Sequence, residues 1–230
     1  MDKRLFIARR AARYFKSGDV VNLGFGIPSL CGAYAEPGVF LQSENGFLGV
    51  GAIAEGLNIN DRMFNAGGIP YMAVPGACAF DVAMSFGIIR SGRMAATVLG
   101  ALQVSEAGDI SNWASPGRAF GMGGAMDLVN GARQVIVAMD HCTRDGKPKI
   151  LKECTLPYTG RHCVNHIVTD LCVIDVVPEG LLLREIAPGL TVEDVQAKTE
   201  PTLIIAPSHQ VRPDALGEHI QGHQIVPALG

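Results

Sequence analysis

The chain has 230 residues, 48% of them hydrophobic and 18% charged, with a formal net charge of −3. It is long enough to bury a sizeable core, and a mild negative balance without a clustered Lys/Arg stripe argues against a nucleic-acid partner. No apolar run is long enough to span a bilayer, and residues 1–7 pass straight into an amphipathic pattern without a signal-peptide core, so a soluble, cytoplasmic protein with no membrane contact is expected.

In chain order, Leu5, Ala8, Ala12 and Phe15 recur at helical spacing and predict a helix over 4–16 closed by Gly18. Residues 20–23 read as a short strand that runs into Gly24-Phe25-Gly26-Ile27-Pro28, with a helix starting near Pro28-Ser29. The next strand is 39–42, and 52–65, with weak periodicity, reads as loop with at most one helical turn. Residues 95–102, 134–139 and 167–177 are near-continuous apolar runs of the kind found in buried strands. A late strand follows at 181–186, then a helix over 192–198 opened by Thr191. The pattern predicts an α/β fold: an open, largely parallel but mixed sheet covered by helices on both faces. No linker interrupts residues 1–205, which read as one domain, and after Pro207 the chain turns polar, predicting an irregular tail over 206–230.

The six cysteines, Cys31, Cys78, Cys142, Cys154, Cys163 and Cys172, form no C-x-x-C pair and read as small buried hydrophobes with free thiols. His162, Cys163 and His166 lack the second ligand pair that zinc requires, so no metal site is expected. Ligands of such sheets bind beyond the carboxyl ends of the strands, and three glycine-bearing segments are candidates there: 22–28, Ser43-Glu44-Asn45-Gly46, and 121–128. A carboxylate at a strand end, beside backbone that can approach a ligand closely, makes Glu44 a candidate nucleophile. Asn45-Gly46 equally signals a hairpin turn, which would make Glu44 an ordinary flanking charge. Gly121-Met122-Gly123-Gly124 lacks the full G-x-G-x-x-G spacing and reads as a turn feeding a helix over 125–130, whose free N–H groups suit an oxyanion or carboxylate. Asp81, Glu106, Asp109, Asp140, Asp145 and Glu153 read as solvated or capping residues, and Trp113 as packing. Neither a G-x-S-x-G elbow nor a P-loop is present.

Together these blocks resemble the β subunit of a class I coenzyme A transferase. The likeness runs through Val21-Asn22-Leu23-Gly24, Leu41-Gln42-Ser43-Glu44-Asn45-Gly46, Asn65-Ala66-Gly67, Val74-Pro75-Gly76-Ala77 and Ile89-Arg90. It continues through 98–104, Asn112-Trp113, 121–128, Lys149-Ile150-Leu151, 154–157 and Thr169-Asp170-Leu171, covering residues 4–200. The resemblance implies a coenzyme A transferase fold and a ping-pong exchange of CoA between a short-chain acyl-CoA and an acid or 3-oxo acid such as acetoacetate, as in fatty acid and ketone body metabolism. It implies Glu44 as the nucleophile that becomes a glutamyl-CoA thioester, with the Gly124 N–H supporting the oxyanion. Asn22, Gly24, Gly26, Asn45, Gly46, Gly68, Gly123 and Ala125 would line the substrate and CoA site. CoA is then a co-substrate, no cofactor is permanently bound, and a homologous α subunit is expected, commonly in an α2β2 assembly. In this company the hairpin reading of Glu44 gives way to the nucleophile. Gly68 stands where succinyl-CoA users often carry lysine, which favours monocarboxylic substrates over the rival succinyl-CoA:3-oxo acid transferase. A rival of another class is a non-catalytic sensor or regulatory subunit on a related α/β fold, which would have no chemical reason to keep Glu44 in its motif.

Overall fold

The computed structural model describes residues 2–205 together with the two-residue strand Arg212–Pro213. The first half of the chain gives α1 (Lys3–Ala12), β1 (Val20–Leu23), α2 (Ile27–Leu30), β2 (Phe40–Ser43), β3 (Phe47–Ile53), β4 (Tyr71–Ala79), α3 (Val82–Arg90) and β5 (Ala96–Leu99). A small peripheral layer follows, β6 (Gln103–Ser105), β7 (Ile110–Ser111), β8 (Ala114–Ser115) and β9 (Arg118–Ala119), then α4 (Ala125–Gly131), β10 (Val135–Ala138) and β11 (Ile150–Leu151). The last part holds β12 (His166–Val168), β13 (Cys172–Val177), β14 (Gly180–Ile186), α5 (Val192–Gln196), β15 (Leu203–Ile205) and β16 (Arg212–Pro213).

The main sheet runs β15-β14-β13-β12-β10-β5-β1-β2-β3-β4, with β16 beside β14. Its centre, from β12 to β2, is parallel, and antiparallel pairs flank it on both sides. The expected open, mixed α/β sheet is therefore observed. Alternation sorts the central strands onto two cores: Val135 and Val137 face one, Ile136 and Ala138 the other. Ile7, Ala8, Ala11, Ala12 and Phe15 of the first helical segment pack on Val21, Val98 and Ile136, while α3, α4 and α5 contribute Ile89, Leu128, Val129 and Val195 to the opposite face. An ion pair from the buried Arg10 to Glu185 (3.1 Å) ties α1 across β14.

Several expectations change in detail. The first helix stops at Ala12, and main-chain bonds from Arg13, Tyr14 and Phe15 to the residues three before them tighten its last turn. The apolar run 167–177 is two antiparallel strands, because Thr169 Oγ1 accepts from the N–H groups of Leu171 and Cys172 and folds the chain back there. The loop reading of 52–65 holds only in part: β3 reaches Ile53, and one short 3₁₀ turn spans Gly56–Asn58. Cys78 is exposed, and Asp109 is buried with Oδ1 accepting from the His162 N–H, so neither fits its expected environment. The predicted tail lies outside the described residues except for Arg212–Pro213, which pair with β14.

His141, fully buried after β10, joins three segments: Nδ1 lies 3.0 Å from Thr169 Oγ1 and Nε2 lies 2.9 Å from Thr199 Oγ1. Burial pushes its pKa down to about 4; nearby Asp170 and a main-chain hydrogen bond with Lys198 oppose the shift, and the charges of Lys198 and Lys149 add to it. The unfolded chain, with an ordinary histidine near 6.5, therefore binds a proton that the folded chain refuses, and stability is lost as pH falls from 6.5 towards 4. We expect this group to contribute about 2 kcal/mol of the stability lost between pH 7 and pH 5. Urea titrations at the two pH values check this: the loss should shrink by that amount in His141→Gln, and an equal loss in both proteins would place its source elsewhere.

Candidate active site

The turn Glu44-Asn45-Gly46 joins β2 to β3, which pair antiparallel as Gln42 with Leu48 and Ser43 with Phe47. The hairpin turn that Asn45-Gly46 signals is thus present, and Glu44 stands at its tip. Gly46 bonds back to the Ser43 carbonyl (3.0 Å) with φ +118°, and its own carbonyl accepts from the Phe80 N–H (2.9 Å). A Cβ at Gly46 would run into the Phe80 carbonyl oxygen, so only glycine allows this clamp. Asp81 follows immediately and caps α3 by accepting from the Met84 N–H (2.8 Å). The clamp thereby fixes where α3 begins and which of its residues reach the hairpin.

Two further segments are tied to the tip. Ser43 Oγ accepts from the Ala66 N–H (2.8 Å), and Asn45 Nδ2 donates to the Phe64 carbonyl (2.7 Å). Asn65 Oδ1 shapes that loop by accepting from the N–H groups of Gly67 and Ile69. Phe25 packs against Gly67. On the other side Gly124, the residue before α4, lies against the nucleophile candidate: a Cβ there would sit 3.1 Å from Glu44 Oε1 and 3.1 Å from Phe86 Cζ. The segments containing Asn22, Glu44, Asn65 to Gly68 and Gly124 therefore converge, as the sheet topology requires at its carboxyl edge.

The Glu44 carboxyl is partly buried, and that burial pushes its pKa up; the Asn22 amide, the main-chain N–H of Glu44 itself and the Gly124 N–H hold it down. Among the described residues no charged side chain is one of the groups acting on it. Asn22 Nδ2 lies 3.4 Å from Glu44 Oε2 and 2.7 Å from Gln42 Oε1, and Gln42 Nε2 donates to Ser85 Oγ (2.8 Å). A carboxylate stripped of part of its water and held by neutral donors is more basic and more nucleophilic than a solvated one.

The remaining residues predicted for the site have clear positions. Gly24 donates its N–H to Val98 O (2.8 Å), and a Cβ there would lie 3.0 Å from that oxygen, which explains the glycine by strand packing. Gly26 (φ +85°), Gly68 (φ +76°) and Gly123 (φ +51°) are left-handed with open space around them, and Ala125 is buried at the start of α4. Asn45 turns its side chain to the 64–68 loop, and Gly46 is buried in the clamp. Sequence reasoning did not single out Gln42, Ser85 or Phe86. The strand period puts Gln42 on the same side as Glu44, two residues on, whereas Ser85 and Phe86 belong to a helix with no clear periodic signal. Among the described residues no group of three or more His, Cys, Asp or Glu side chains could hold a metal ion, and no helix is long and apolar enough to cross a membrane.

Residues 5–198 match the family described as Coenzyme A transferase. The acetate CoA-transferase subunit beta of Escherichia coli K12 is 47% identical over 90% of this chain and 95% of its own length. The human mitochondrial succinyl-CoA:3-ketoacid coenzyme A transferase 2 is 44% identical over 90% of this chain, which spans only 41% of that longer protein. The crystal structure of an acyl-CoA transferase from E. coli O157:H7 superposes with a TM-score of 0.72 over 90% of this chain and 42% of its own, at 23% identity, which supports a shared fold. A chain with this fold, this motif order and these relatives belongs to the coenzyme A transferase family, as a subunit of the β type.

Proposed function

We propose that this chain carries the covalent nucleophile, Glu44, of a two-subunit enzyme that moves CoA between a short-chain acyl-CoA and a short-chain acid or 3-oxo acid. The observation that carries the reading is the partly buried Glu44 carboxylate at a clamped hairpin tip, between Asn22 and the Gly124 N–H, with no charged side chain among the described residues acting on it. One Glu44 oxygen attacks the thioester carbonyl, CoA leaves as thiolate, and a mixed anhydride forms. The thiolate then attacks the glutamyl carbonyl, releasing the first acid and leaving CoA on Glu44 as a thioester; the second acid reverses both steps. Every bond broken is matched by one of the same class, so no permanently bound cofactor is required. Asn22 and the Gly124 N–H supply the donors for charge developing at Glu44. A sensor would gain nothing from a desolvated carboxylate that its fold holds at a cost in ionisation.

The relatives named subunit beta, and the longer single-chain human relative of which this chain matches less than half, support pairing with a partner subunit; we infer that this is a homologous α subunit, that the assembly is α2β2 and that it is cytoplasmic. Exposed apolar side chains support the same reading. Met72 and Val74 on β4, Val82 and Met84 on α3, and Phe120, Met122 and Met126 near the glycine turn leave the surface of these elements in need of a cover.

Three outcomes test this on the complex assembled with its α partner. Glu44→Ala should abolish transfer, and Glu44→Asp should lose roughly a hundredfold because the carboxylate retreats by one methylene; normal turnover in the alanine variant rejects the nucleophile. Gly124→Val should lower kcat on the order of a hundredfold, as for a displaced oxyanion donor, and should lower the melting temperature as well, because its Cβ would press on Glu44 Oε1 and Phe86 Cζ, each 3.1 Å away. A wild-type rate would leave Gly124 as a turn residue only.

Relatives of both substrate types match at similar identity, so the substrate is argued from the site. Gly68 stands two residues beyond the Ala66 N–H bound to Ser43, and among the described residues no cation acts on Glu44. Once the partner subunit covers the site, a succinyl group's distal carboxylate would then have no cationic partner from the described residues of this chain. We expect acetyl-CoA to be preferred over succinyl-CoA by roughly tenfold or more in kcat/KM, about 1.4 kcal/mol. Gly68→Lys should narrow the gap, less a cost of about 1 kcal/mol for a lysine in the left-handed region. Equal or better use of succinyl-CoA supports the rival 3-oxo acid transferase.

A further inference from the structure

A line of buried polar side chains crosses the sheet beneath Glu44. Gln42, Asn22 and Thr97 are lateral partners in β2, β1 and β5, and all three are buried. Asn22 Nδ2 lies 2.7 Å from Gln42 Oε1, 3.3 Å from the Gln42 main-chain oxygen and 3.4 Å from Glu44 Oε2. Gln42 Nε2 in turn donates to Ser85 Oγ of α3 at 2.8 Å.

Two of those three acceptors cannot exchange roles, since a main-chain carbonyl and an ionised carboxylate accept whichever way the amides are turned. They fix Asn22 with its nitrogen towards Glu44. Gln42 must then offer its oxygen to Asn22, which leaves its nitrogen for Ser85. The orientation of the whole row thus follows from its fixed acceptors rather than from an arbitrary choice between amide oxygen and nitrogen. It leaves Asn22 Oδ1 buried without a hydrogen-bond partner, and Thr97 Oγ1 likewise. Such orphaned acceptors are rare in folded interiors, and here the unsatisfied oxygen is the consequence of directing the nitrogen at the nucleophile.

During the exchange Glu44 becomes an anhydride and then a thioester, and its charge disappears. One fixed acceptor weakens at the stage when the amide is needed beside the reacting carbonyl. We propose that Gln42, seated by Ser85, is a positioning residue that keeps the Asn22 amide turned nitrogen-first towards Glu44 through both half-reactions. This rests on Glu44 as the nucleophile. Burial, Asn22, and the main-chain N–H groups of Glu44 and Gly124 are the groups acting on the carboxyl. Releasing Asn22 therefore removes a group that favours the ionised form. Because the ionised form attacks, the acid limb of the rate profile must then move to higher pH.

Gln42→Met keeps the length of the side chain and removes the oxygen that anchors Asn22. In the assembled two-chain enzyme we expect kcat to fall roughly ten- to a hundredfold, with KM for the acyl-CoA little changed. The acid limb of kcat/KM should rise by about half a pH unit or more. In an Asn22→Ala background the same substitution should have no further effect. Independent, multiplicative losses overturn the relay, as does a rate loss that tracks a lower titre of active sites with the acid limb unmoved. Should Gln42→Met fail to fold, Ser85→Ala carries the test: the limb should move the same way by less, and an unmoved limb with a normal rate overturns the proposal. Turnover by Glu44→Ala would reject the nucleophile itself, whereas a normal Gln42→Met enzyme that still depends on Glu44 rejects the positioning role alone.

Discussion

The clamp between Gly46 and Phe80 is the constraint from which the site follows. One main-chain bond, with Gly46 left-handed and without room for a Cβ, fastens the β2–β3 hairpin to the segment that starts α3. Asp81 caps that helix, so Ser85 arrives over Gln42 and Phe86 arrives against Gly124. Without the clamp the tip of an edge-side hairpin would be among the least stable parts of a sheet. With it, Glu44 is held by two secondary elements that also belong to the core, and the glycine turn before α4 closes the site from the far side.

The electrostatics of the site rest on neutral groups. A lysine or arginine beside Glu44 would stabilise the carboxylate, lower its pKa and weaken it as a nucleophile. Desolvation acts the other way, and the Asn22 amide with two main-chain N–H groups offsets part of it. In the mechanism proposed above, the same donors would serve the oxyanion formed on the glutamyl carbonyl.

Much of this was legible in the sequence, for identifiable reasons. β5 and β10 sit between two cores and read as near-continuous apolar runs, and Thr191 signalled the start of α5, where it forms a capping box with Asp194. The Ser43-Glu44-Asn45-Gly46 motif placed a turn where one is found, with Glu44 at its tip. β4 was not legible, because it contains Pro75 and Gly76 and lies largely exposed at the sheet edge. α3 was missed because Val82 and Met84 are apolar yet exposed and Gly87 interrupts it, so no single face stands out. With α3 unread, Ser85 and Phe86 could not be placed beside Gln42 and Gly124. The break between β12 and β13 hid inside an apolar run because a single threonine side chain makes the turn.

The central claim, that CoA passes through a thioester on Glu44, is tested most directly by locating the bound CoA. The assembled enzyme is incubated with acyl-CoA in the absence of an acceptor acid, quenched, digested and mapped by peptide mass. The account predicts CoA joined as a thioester to Glu44, with one equivalent of free acid released for each active site. CoA attached at any other residue, or transfer proceeding with no CoA bound to protein at any stage, would contradict it.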